Sequence, residues 1–153
     1  MLPKFSNILV PVDFSPVSKR VITHAVSIAK RFDAAVHIVH AFELPPPLRP
    51  DLTVWSGDFR ATLEKQGHDE GVRTLRALLD DRDLAGVPIT TEVKPGHPYD
   101  VILSSAEARK SDLIVMGTHG RTGLSHLVMG SVAEKVVQHA PCPILTIRAL
   151  SAE

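Results

Sequence analysis

Apolar positions along the chain follow two alternating rhythms. Ile8, Leu9, Val10 and Val12 make a compact, β-branched-rich run that predicts a buried strand ending at Asp13. Ser15 followed by Pro16 is a helix-start signal, and Val21, Ile22, Ala25, Ile28 and Ala29 then recur at helical spacing as far as Lys30 and Arg31. A tight turn at Phe32–Ala34 leads into a second strand, Ala35–Ala41. The proline-rich link ELPPPLRPDL, residues 43 to 52, excludes regular structure. Beyond it, Phe59, Leu63, Val72, Leu75, Leu78 and Leu79 predict a long amphipathic helix from about Ser56 to Asp83. Gly67 and Gly71 fall inside that helix, each at a cost of about 1 kcal/mol against alanine, so its middle is either broken or closely packed. Val87–Lys94 is a third expected strand, and Tyr99–Arg109 a third helix after the turn signal Pro95-Gly96. Leu113–Gly117, Ser131–His139 and Ile144–Ile147 complete the set as strand, helix and strand.

Strand and helix alternate throughout, and the strands are too apolar to have a wet face. That pattern predicts one α/β domain spanning residues 1–153, a parallel sheet with helices on both faces joined by right-handed crossovers. Ligands in such sheets bind beyond the carboxyl ends of the strands, where strand order reverses. Asp13 and Gly117, at the ends of the first and fourth strands, are the candidates.

Composition narrows the function. Seventeen basic residues balance seventeen acidic ones in 153, so no global field draws the chain to nucleic acid or to an acidic membrane. No apolar run approaches the roughly 20 residues of a membrane span. The N-terminal stretch, broken by Pro11 and Asp13, does not resemble a signal peptide. The lone Cys142 excludes an intrachain disulfide and fits a reducing compartment, so a cytoplasmic location is expected.

The segment GTHGRTGLSHLVMGS, residues 117 to 131, carries the most chemistry: Gly117, Gly120, Gly123 and Gly130 lie between an apolar strand and a helix. Glycines permit positive φ and close backbone approach, and a helix N-terminus offers unpaired N–H groups with the positive end of the dipole. An anion site and a simple tight connection both fit this. No Gly-Lys pair exists for a Walker loop, and the turn after the first strand, Asp13-Phe-Ser-Pro16, lacks the glycines of a dinucleotide fingerprint. Gly117, two residues, Gly120, nine residues, then Gly130-Ser131 resembles the G-2x-G-9x-G-[S/T] signature of ATP-binding universal stress proteins. The segments at residues 113–148 and 8–40 resemble the same family, with the likeness weakest between Phe42 and Gly86.

The resemblance implies a five-stranded parallel sheet in the order 3-2-1-4-5, the Rossmann-like adenine nucleotide alpha hydrolase-like fold. It implies that Gly117, Gly120, Gly130, Ser131 and the backbone of Val132 cradle the phosphates of ATP. Pro11, Val12 and Asp13 match the family's "PVD", with the acid facing the ribose and nearby phosphate groups; the competing reading is that Asp13 only caps the turn or the next helix. Ala41 and Met116 would line the adenine pocket. Arg121 is either a phosphate clamp, suited by its planar fork, or a solvated loop arginine. His119 and His126 are either within reach of phosphate or surface-exposed, the latter being favoured. No metal site of the protein's own is assigned, since His37 and His40 fall on opposite faces of a strand and His24, His68 and His139 lack partners at helical spacing. Mg²⁺ or Mn²⁺ would arrive with the phosphates of ATP. Cys142 is read as structural, and Trp55 as a core staple, a dimer contact or a pocket lid, the first being favoured.

The resemblance further implies a homodimer in which the last strand, about residues 143 to 149, pairs with its counterpart. The function expected is a nucleotide-dependent regulatory module of the stress response that binds ATP without efficient turnover. The alternatives are a slow ATPase or autophosphorylating enzyme, and a nucleotide-free, partner-binding dimer. No catalytic set is assigned.

Overall fold

A computed structural model of the chain describes residues 3–45, 57–80, 82–119 and 129–149. Its elements run β1 (Asn7–Pro11), α1 (Pro16–Phe32), β2 (Ala35–Phe42), α2 (Gly57–Asp80), β3 (Ile89–Pro95), α3 (Pro98–Ala108), β4 (Leu113–Gly117), α4 (Ser131–His139) and β5 (Ile144–Ile147). The five strands form one parallel sheet in the order β3-β2-β1-β4-β5. The order reverses between β1 and β4, and the cleft described below opens there.

Side chains alternate between two cores. Ile8, Val10, Val36, Ile38, Leu113 and Val115 point toward α1 and α2, whereas Leu9, Val39, Ile114 and Met116 point toward α3 and α4. Burial on both faces explains the unbroken apolar runs of β1, β2 and β4. The expectation that no strand has a wet face fails at the edge: of β3, only Val93 is buried, and Thr90 and Thr91 are exposed. Edge strands meet water, and the Thr-Thr-Glu-Val-Lys sequence there is suited to it.

The long second helix is continuous and closely packed rather than broken, and it ends at Asp80, short of the expected Asp83. A Cβ on Gly67 would lie 2.5 Å from the Phe42 ring, and one on Gly71 would lie 2.7 Å from Val93. The two glycines therefore let α2 lie directly on β2 and β3. The third helix starts at Pro98, one residue ahead of the expected Tyr99, because His97 caps it by accepting the Tyr99 N–H at 3.3 Å. Among the described residues, no helix is long and apolar enough to cross a membrane.

Candidate functional site

At the carboxyl ends of β1, β2 and β4 lies a cleft of about 390 Å³, within the range typical of small-molecule sites. Pro11, Val12, Asp13, Ala41, Met116, Gly117, His119, Gly130, Ser131 and Val132, all singled out in the sequence, line it together. Gly120 and Arg121, along with Gly123, His126 and Trp55, lie outside the described residues. The walls are apolar: Val17 and Val21 come from α1, Val39 and Ala41 from β2, and Val101 and Ile102 from α3. Such walls suit a flat heterocycle, and the polar groups are gathered along one side.

That polar side is built from two turns. In the first, Asp13 Oδ1 accepts the Ser15 N–H at 2.9 Å and the Ser18 hydroxyl at 3.1 Å. The capping role is therefore real, and it coexists with a place on the cleft wall. Ser15 sits at the N-cap of α1 by backbone geometry, but its side chain makes no cap bond; Asp13, two residues upstream, closes the turn ahead of the helix instead. Ser15 Oγ is left buried without a partner.

The second turn joins β4 to α4. Gly117 does not have a positive φ; what demands glycine is proximity, since a Cβ there would lie 2.9 Å from Val17. Gly130 is also not left-handed (φ −63°) and is itself the N-cap of α4. Its N–H donates to the Thr118 carbonyl at 2.7 Å, and its own carbonyl accepts the Glu134 N–H at 2.9 Å. Ser131 is the first helical residue, exposed and making no cap bond. Because the helical ladder begins at Glu134, the N–H groups of Ser131, Val132 and Ala133 have no intrahelical acceptor.

His119 is half-buried rather than surface-exposed. Its Nδ1 lies 2.9 Å from the hydroxyl of Thr118, and its Nε2 is buried with no partner. A buried polar atom left unpaired costs about 1–3 kcal/mol, which a hydrogen-bonding group in the cleft would offset.

Among the described residues, the charged side chains of the lining are Asp13 and Glu43, both acidic. An anionic ligand would meet backbone N–H groups there, and a divalent cation carried by that ligand would offset the two carboxylates. No three His, Cys, Asp or Glu side chains cluster closely enough to hold a metal among the described residues. Sequence reasoning missed Ser18 and Glu43. The turn beside Ser18 was legible in retrospect, because Asp13-Phe-Ser-Pro16 reads as an Asx-turn opening a helix. Glu43 follows the end of β2 inside the proline-rich link and carries no local signal.

His37 and His40 do point to opposite faces. His37 is enclosed by Thr90 and Glu92, and His40 by Val12 and Phe14. His24, His68 and His139 are exposed. Cys142 is half-buried against the α3–α4 core, and its burial, then the nearby Asp112, raises the thiol pKa, which suits an inert structural role.

The model of the universal stress protein family matches residues 4–148. Universal stress protein MJ0531 of Methanocaldococcus jannaschii is 37% identical over 145 residues, covering 94% of this chain and 82% of that one. The structure of universal stress protein UspA from Lactobacillus plantarum superposes with a TM-score of 0.73 at 28% identity, covering 96% of this chain and all of that one (100%). A universal stress protein solved in complex with cAMP superposes with a TM-score of 0.66 at 23% identity, covering 95% and 98%.

Proposed function

The chain belongs to the universal stress protein family, and we propose that within it this protein is an ATP-binding regulatory module that holds its nucleotide rather than turning it over efficiently. The observation that carries this reading is the form of the cleft. Apolar walls from three elements stand beside a helix N-terminus whose first three N–H groups have no intrahelical acceptor, and beside the buried Nε2 of His119, which has no partner. Adenine suits the apolar side around Ala41 and Met116. Phosphate suits the backbone of Ser131 and Val132, and His119 Nε2 is placed to complete its remaining bond. Mg²⁺ or Mn²⁺ held by the phosphates would sit on the side of Asp13. A protein of the same fold holds cAMP, an adenine nucleotide, which supports a base-sized pocket in this architecture.

What favours binding over turnover is that Oδ1 of Asp13, the carboxylate nearest the phosphate side, already accepts from Ser15 and Ser18. A general base or water-orienting group needs a lone pair aimed at the nucleophile. The test is mass spectrometry of the nucleotide released on denaturing freshly purified protein. ATP in near-stoichiometric yield supports the proposal, ADP favours the slow-hydrolysis alternative, and failure to bind added ATP refutes both.

The same reading includes a homodimer through residues 143–149 in a cytoplasmic setting, the latter favoured by the single Cys142. β5 lies at the sheet edge, where the carbonyls of Pro143 and Ile147 accept from β4. Strand alternation turns the N–H groups of Ile144 and Thr146 toward the open side. Thr146→Pro should halve the mass measured by light scattering while leaving the β4 ladder intact; an unchanged mass would assign any dimer to another surface.

A further inference from the structure

The β1–α1 turn contains an outlier that the cleft does not explain by contact. Phe14, which follows Asp13, has a left-handed backbone with φ 63°. A bulky residue rarely adopts that conformation, and it persists only where its surroundings hold it. Asp33 and Lys110 share the conformation, but each lies just past the end of a helix, where it is the ordinary stop. Phe14 precedes a helix, so that account does not apply to it.

What holds Phe14 is His40. The two rings lie 4.1 Å apart, centroid to centroid, with an interplanar angle of 34°. His40 is itself buried and anchored: its Nδ1 lies 2.8 Å from the Val12 carbonyl, and because a carbonyl only accepts, Nδ1 carries the proton. The Val12 N–H donates to Val39 at 2.9 Å, so both polar groups of the residue before Asp13 are tied to β2. The peptide entering the turn is therefore fixed by His40, and the residue leaving it is fixed by stacking on the same ring.

We infer that the Phe14–His40 contact is the positioning element of this cleft: it locks the β1–α1 turn so that the Asp13 carboxylate is held on the cleft wall by Ser15 and Ser18, although neither ring lines the cleft itself. The significance for nucleotide rests on the function proposed above. The two residues lie 26 positions apart in the chain and act on opposite ends of one four-residue turn, so neither is legible as a site residue from spacing alone.

Phe14→Gly tests this without threatening the fold, because glycine adopts the left-handed conformation freely while losing the stack. Amide hydrogen exchange reads the turn directly. The Ser15 N–H, which donates to Asp13, should exchange about tenfold faster or more in Phe14→Gly, while amides of β4 stay unchanged. ATP–Mg²⁺ affinity, measured by calorimetry, should fall about tenfold. That loss should vanish in the Asp13→Asn background, because both changes disable one device. His40→Leu should weaken affinity similarly, and His40→Asn, which keeps a donor near the Nδ1 position, should recover part of it. An unaltered Ser15 amide in Phe14→Gly would overturn the inference, as would a Phe14→Gly loss that adds in full to that of Asp13→Asn. Should the wild type bind no ATP, the proposed function fails, and the Ser15 amide still decides whether the lock exists.

Discussion

The two ends of this sheet are made of the same strands and treat their polar groups in opposite ways. At the amino end the accounts close internally: the Asp112 carboxylate accepts the N–H groups of Ser6 at 2.7 Å and Asn7 at 3.1 Å, Ala35 N–H donates to the Ser6 carbonyl, and Asp112 N–H to that of Asn7. At the carboxyl end the closure is incomplete, although Asp13 accepts from Ser15 and Ser18 and Gly130 N–H donates to Thr118. His119 Nε2 and Ser15 Oγ are buried without partners, the first turn of α4 offers three N–H groups, and Phe14 holds a sparsely populated backbone. Buried polar groups in folded proteins are nearly always paired, so an end that leaves them open points to a missing partner rather than to poor packing. Ser105 Oγ, on α3 and outside the cleft lining, is buried without a partner as well, so the contrast between the ends is one of degree.

Four changes test or sharpen that contrast. The largest expected effect is from Ser131→Glu. A carboxylate in the first turn of α4 favours the helix through its dipole yet repels phosphate at the same place. ATP affinity should fall by about a hundredfold or more in calorimetry, with thermal stability unchanged or raised. Equal affinity for wild type and variant would remove α4 from the site. Second, Asp112→Ala at the opposite end should show the converse, a loss of about 1–2 kcal/mol in urea unfolding with ATP binding retained. A binding defect there would break the division of labour between the ends.

Third, Ile114→Ala probes the common core beneath both ends. Ile114 is fully buried, and truncation should cost about 2–5 kcal/mol in unfolding while affecting binding less than Ser131→Glu does. The smallest expected effect is a pH dependence from His37, on the amino side of the sheet. Burial lowers its pKa below the ordinary imidazole value; the bond to Glu92 opposes that shift, and the positive charges of Arg109 and Lys94 add to it. The folded state thus prefers the neutral ring, while the unfolded chain takes up a proton near 6.5. Stability contributed by neutral His37 is full above that pH and declines as pH falls below it. His37→Gln should flatten that slope in urea titrations between about pH 5 and 7, leaving ATP binding in place.

The fold was legible because its periodicities are unambiguous. The runs at Ile8–Val12, Ala35–Ala41 and Leu113–Gly117 are buried on both faces, and a strand with no wet face has few other places to go. The wet edge strand β3 was less legible, because exposure at an edge follows from strand order rather than from any local pattern. In the candidate site, the residues picked out by the glycine spacing and by Asp13 line one cleft at the carboxyl end of the sheet. The reasons assigned to particular residues changed with the structure. Gly117 is needed for its approach to Val17 and not for its φ, and Ser15 leaves α1 without a side-chain cap while Asp13 closes the turn ahead of it. Each of these depends on which neighbour comes within 3 Å, and spacing along a chain does not encode that. The His40–Phe14 contact was hidden for the same reason, since its two partners belong to different strands' ends.

The central claim is that the open polar groups at the carboxyl end await an adenine nucleotide. The most direct test is a map of backbone amide shifts by NMR as ATP–Mg²⁺ is titrated into nucleotide-free protein. The account predicts saturation at one nucleotide per chain, with the largest shifts at Val12–Ser18, Ala41, Met116–His119 and Gly130–Ala133, and with Ser6, Asn7 and Asp112 silent. Shifts centred on the amino end or on the surface of α2, or none at millimolar ATP, would contradict it.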